Sequence, residues 1–151
     1  MAGHAFPAPA IAPELVRELA ATAAGFIESL NSQQRGRALL AFDSEERHDW
    51  HYVPRQWPGL ALRDMDETQR AAASVLLSIA LSEAGGSKAL AIMHRESILK
   101  RSDPRENYDP LDYAFAVYGD PRLPPPWAWS VDGHHLSLHF TLPSSARRKS
   151  P

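Results

Sequence analysis

The sequence predicts an α+β fold: about four helices packed on a short antiparallel sheet with a C-terminal β-hairpin. Three observations carry this. Apolar residues recur at helical spacing through the N-terminal two-thirds of the chain. Tyr113-Ala-Phe-Ala-Val-Tyr118 then alternates as a strand does, and Trp127 to Leu142 reads as two strands around an Asp132-Gly133 turn. At 151 residues the chain is long enough for one domain with a real core. The expected organisation is a flexible N-terminus over 1–12, a single α+β domain over 13–142 and a disordered tail over 143–151.

Residues 13–30 form the first predicted helix. Pro13 suits its opening turn, Glu14 suits the positive end of its dipole, and Leu15, Val16, Leu19, Ala23, Phe26, Ile27 and Leu30 make one apolar face. Asn31 or Ser32 caps a second helix over about 33–48, and Pro54, Pro58 and Gly59 interrupt the chain up to about 63. Asp64 or Asp66 caps a third helix that buries Val75, Leu76, Ile79 and Ala80 and stops at Gly85-Gly86. Ser87 caps a fourth, over about 88–101. Pro124-Pro-Pro126 is a stiff extended segment leading into Trp127. Leu30-Asn-Ser-Gln-Gln-Arg35 and Met65-Asp-Glu-Thr-Gln-Arg70 echo each other, which reads as two solvated helix openings.

A type I′ turn at Asp132-Gly133 would set Val131 opposite His134 and Trp129 opposite Leu136. Trp127, Trp129, Val131, His134, Leu136, Leu138 and Phe140 then share one face, with Ala128, Ser130, His135, Ser137, His139 and Thr141 on the other. His134 and His135 would point to opposite sides of the sheet, so a regular strand does not offer them jointly to one metal. His135 and His139 share a face and offer a chelate across Ser137.

A net charge of −2 gives no electrostatic case for nucleic acid, and no apolar run is long enough for a membrane span. With no cysteine, thiolate chemistry and disulfides are excluded, which fits a cytoplasmic protein. Glu96 falls on the apolar sector of its helix near Ile92, Met93 and Leu99, where a carboxylate needs a partner. A Glu96–histidine pair would fix an imidazole in one tautomer, as a general base or a metal ligand requires. The expected catalytic residues are therefore His134, His135 and Glu96. Trp127, Trp129, His51 and Arg55 are expected to shape a substrate pocket, and a divalent metal is compatible with the set. The rival expectations are a non-catalytic module that binds a ligand or protein through the same residues, and an inactive truncated fragment.

Trp50-His-Tyr-Val-Pro-Arg55, Gly59-Leu60, Asp64-Met65, Gln69-Arg70, Leu81-Ser82, Ile92-Met93, Glu96, Tyr113, Gly119-Asp-Pro121, Trp127-Ala-Trp129 and Gly133-His-His-Leu-Ser-Leu138 occur in one order. Together they resemble an uncharacterised bacterial and fungal family, domain of unknown function 3500, over about residues 25–142. The resemblance implies no established activity. It also implies a longer chain: similar proteins continue beyond the hairpin, so this sequence reads as a C-terminally truncated member and 13–142 as the N-terminal half of a longer domain. Ala128 and Ser130 stand where the family usually has Gly and Arg, and His139 where it often has Asn. If that arginine grips an anion, this chain lacks the grip. A hairpin that ends the sheet would leave an exposed edge open to self-association.

Overall fold

The computed structural model describes residues 11–49, 56–103 and 108–144. Helix α1 spans Pro13–Ser29, with Pro13 at its start and Leu19, Ala23, Phe26 and Ile27 buried, as the periodicity predicts. Helix α2 is Ser32–Ala38, half the predicted length. Its chain leaves the helix at Leu39 because Leu39–Leu40 pairs in parallel with a later strand, forming β1. Glu45–His48 is a single 3₁₀ turn rather than the end of α2. A second short strand, β2, is Leu60–Ala61.

Helix α3 spans Glu67–Ala80 and is capped by Asp66. It buries Gln69, Ala73, Leu76 and Leu77, so its inward face is rotated from the expected one and Val75 is exposed. Helix α4 spans Glu83–Ser102, starting five residues before the predicted 88. Ser82, not Ser87, is its cap, accepting from the Gly85 amide. Gly85-Gly86 therefore lies in the first turn of α4 and terminates nothing: the Ser82 side chain supplies the acceptor that starts the helix early.

The echoed segments have a common structural cause. Asn31 with Gln34, and Asp66 with Gln69, each form a reciprocal capping box. The two glutamine amides then bond each other in both directions at 3.0 Å, joining the openings of α2 and α3. Arg35 turns back to the carbonyls of Ile27 and Leu30, and Arg70 to that of Leu62. These pairs thus tie helix openings together, and Gln69 is buried rather than solvated.

Strands β3 (Ala114–Tyr118), β4 (Trp127–Gly133) and β5 (Leu136–Leu142) form an antiparallel meander. Among the described residues the sheet runs β1-β3-β4-β5, with β2 also on β3 and β5 at the edge. The β1–β3 pair makes it mixed rather than purely antiparallel. Phe26, Leu60, Phe115, Trp127, Trp129 and Val131 share the main core between this sheet and the helices. Trp129 stacks between Phe115 (6.5 Å) and Phe140 (4.4 Å). On the opposite face, Ala116, Tyr118 and Ala128 pack with Leu40 and Phe42.

The hairpin turn lies two residues later than predicted. Gly133 pairs with Leu136 and Val131 with Leu138, leaving His134-His135 as the two-residue loop. His135 has φ 65°, in the left-handed region. Gly133 is needed for a different reason: a Cβ there would lie 2.3 Å from Cδ1 of Tyr113, whose ring crosses it. Because the displacement is even, the assignment of β4 and of residues 136–142 to the two faces survives.

Candidate functional site

Moving the turn changes what the two histidines can do. As strand neighbours they would diverge, but as loop residues their rings stack with centroids 3.6 Å apart. Both approach Glu96 from α4, a helix whose fully buried positions are Ala89 and Glu96. Glu96 is 1% exposed. Its carboxylate oxygens lie 3.0 and 3.2 Å from Nδ1 of His134, and Nδ1 of His135 is 3.8 Å from the nearer one. The structure thus brings together all three residues expected to be catalytic. Each offers one ligand atom, and these atoms lie within 4.8 Å of one another.

The cluster is held from several sides. The Tyr113 hydroxyl donates to the His134 carbonyl oxygen, fixing the loop backbone, and the Tyr108 ring stacks on His134 at 5.2 Å. Burial, reinforced by the nearby Glu96 charge, pushes the Tyr113 phenol well above its ordinary range, so it stays a neutral donor. Lys100 binds Asp109 at 3.0 Å, and Arg63 pairs with Asp112 and, at 3.8 Å, with Asp109. These bonds anchor the loop carrying Tyr108 to the end of α4 and to the segment after β2. Burial, the largest single effect, acts to raise the Asp109 carboxyl, but hydrogen bonds from the Leu111 amide and Lys100 together with the Lys100 and Arg63 charges outweigh it and hold the carboxyl below its usual range.

Glu96 and His134 open onto a cleft of about 570 Å³ whose walls include Trp57, Tyr108, Arg37 and Arg63. Trp127 and Trp129 do not line this cleft. Both are fully buried in the main core, where truncation of such a side chain costs about 3–5 kcal/mol. His51 and Arg55 lie outside the described residues.

A second histidine–carboxylate pair was not read from the sequence. Asp132 is a buried strand residue, 2% exposed, rather than a turn residue. Its Oδ1 accepts from Ser137 Oγ at 2.6 Å and from His139 Nε2 at 2.9 Å. His139 Nδ1 donates to the Arg47 carbonyl at 3.1 Å, so both ring nitrogens meet acceptors. The bond to Asp132 outweighs burial and raises the His139 pKa above its ordinary value. His139 is therefore held by Asp132 and the Arg47 carbonyl rather than offered with His135 across Ser137. The correct hairpin register was the signal that could have found this pair, since it sets Ser137 opposite Asp132 and His139 opposite Ser130.

Among the described residues, no helix is long and apolar enough to cross a membrane. No curated protein and no solved structure matches the chain. One family does, described as Protein of unknown function (DUF3500), and it matches residues 13–151. With a match that runs through all the helices and strands and the Glu96–His134–His135 cluster, the chain belongs to the DUF3500 family.

Proposed function

We propose that this chain is a small-molecule enzyme in which the Glu96–His134 pair moves a proton at the wall of the cleft. The supporting observation is a fully buried carboxylate bonded to a histidine that borders 570 Å³ of open space. Glu96 has no proton to give when ionised, so His134 Nδ1 carries the hydrogen and the lone pair is left on Nε2. Nε2 then accepts a proton from a substrate, and the buried carboxylate stabilises the imidazolium that forms. Trp57 and Tyr108 offer aromatic walls for an uncharged or planar part of the substrate. His51 and Arg55 remain assigned to pocket shaping on the sequence pattern alone, whereas Trp127 and Trp129 are buried in the core and do not line the cleft.

The test is incubation of the chain with a complex mixture of small metabolites, followed by mass spectrometry, beside Glu96→Gln and His134→Gln. The expected result is conversion of at least one component, slowed about a hundredfold or more in both variants. A component retained by the protein but never converted would instead make the cleft a binding module.

A further inference from the structure

We infer that Glu96, His134 and His135 form a binding site for one divalent transition-metal ion of the zinc class, with an open position facing the cleft. The inference rests on the same site as the acid–base reading, changes the reacting group, and does not require turnover. Zinc bonds of about 2.0–2.2 Å in tetrahedral geometry set ligand atoms roughly 3.3–3.6 Å apart. The Glu96–His134 and Glu96–His135 separations, 3.0 and 3.8 Å, bracket that spacing. The three ligand atoms lie within 4.8 Å of one another, so side-chain rotation has to close the cluster onto an ion.

His135 is the residue that acid–base chemistry does not explain. At 3.8 Å its Nδ1 is too far from Glu96 for a hydrogen bond, yet within the span of a shared metal. Its backbone occupies the left-handed region, which histidine adopts more readily than most non-glycine residues, and 49% of its side chain is exposed. Its ring stacks on His134 beside the buried Glu96, so two imidazoles and one carboxylate meet at one point. Two imidazoles and one carboxylate suit zinc and its neighbours, whereas calcium and magnesium take oxygen ligands.

Three protein ligands leave a tetrahedral ion one free position, the arrangement of catalytic rather than structural zinc. Binding shifts the His134 hydrogen from Nδ1 to Nε2, so the Nδ1 lone pair meets the ion and no proton is lost from the ring. A water at the open position then supplies the nucleophile or base, because the ion lowers its pKa toward neutrality. The Tyr113 hydroxyl bonded to the His134 carbonyl and the burial of Glu96 hold two ligands in place before the ion arrives.

The test uses the full chain without an affinity tag, stripped with EDTA and titrated with Zn²⁺ by calorimetry, with Co²⁺ absorption reporting the geometry. The expected result is one site per chain, with affinity at least tenfold weaker in Glu96→Gln and His135→Gly and unchanged in His139→Gln. His135→Gly keeps the test valid if Glu96→Gln misfolds, because it removes a half-exposed ring from a position that favours glycine. No saturable Zn²⁺ binding by the parent chain, or equal binding by a folded His135→Gly variant, would overturn the inference. Conversion of a metabolite in excess EDTA would leave the acid–base reading standing alone, whereas conversion only after Zn²⁺ return would support the metal.

Discussion

The β4–β5 hairpin carries two histidine–carboxylate pairs of nearly equal length, His134–Glu96 at 3.0 Å and His139–Asp132 at 2.9 Å. Each carboxylate is almost completely buried. The difference lies in what else each imidazole meets. Both His139 nitrogens are occupied, one by Asp132 and one by the Arg47 carbonyl, so the ring is a charged crosslink between β5 and the 3₁₀ turn. Among the described residues His134 bonds Glu96 through Nδ1, the ring borders the cleft, and a second histidine stands beside it. A buried carboxylate with a histidine is therefore not diagnostic of chemistry. A ring nitrogen with no partner among the described residues, beside open space, is what distinguishes the His134 pair from the His139 pair.

Gly133 lies between the two sites, and its substitution should separate them most strongly. Gly133→Ala forces a Cβ into the Tyr113 ring, and overpacking of this kind costs about 1–3 kcal/mol. Because the displaced ring carries the hydroxyl that holds the His134 carbonyl, ring NMR signals should move for His134 and His135 and stay in place for His139. Equal movement of all three would mean the pairs are one coupled unit.

Asp132→Ala should cost about 2 kcal/mol in urea denaturation near pH 6, since it strands a charged His139 and the Ser137 hydroxyl. The figure is held to the lower range because 29% of the His139 side chain reaches solvent. The same pair predicts a pH dependence. The His139 pKa is raised in the folded state, so its stabilisation is complete below the unfolded value of about 6.5 and is lost as pH rises through the folded value. His139→Gln should flatten that decline, and an unchanged slope would remove His139 from the account.

The smallest expected effect has the opposite sign. His135→Gly relieves a left-handed backbone position and should stabilise the metal-free protein by about 0.5–1 kcal/mol while weakening Zn²⁺ binding. Thermal denaturation without and with Zn²⁺ checks both halves. A loss of metal-free stability would show that the His135 ring serves packing.

Helix α1, the capping roles of Asn31 and Asp66, and the strand faces of the hairpin were all legible, because each depends on local periodicity or on side chains that bond within a few residues. Glu96 was legible for a related reason: a carboxylate on an apolar helix sector needs a partner. The turn was misplaced because Asp-Gly has two physical uses, and this glycine serves close approach by Tyr113 rather than positive φ. That error hid the buried strand role of Asp132 and placed His134 and His135 apart. β1 was missed because two leucines continuing a helical run carry no sign of a parallel partner almost eighty residues away.

The most direct test of the contrast between the two pairs is a Zn²⁺ titration followed by long-range ¹H–¹⁵N NMR of the imidazole rings. The His134 and His135 ring nitrogens should shift together and saturate at one equivalent, with His139 unmoved. A titration that shifts His139 as strongly, or leaves His134 and His135 where they began, would contradict the distinction between an open and a closed pair.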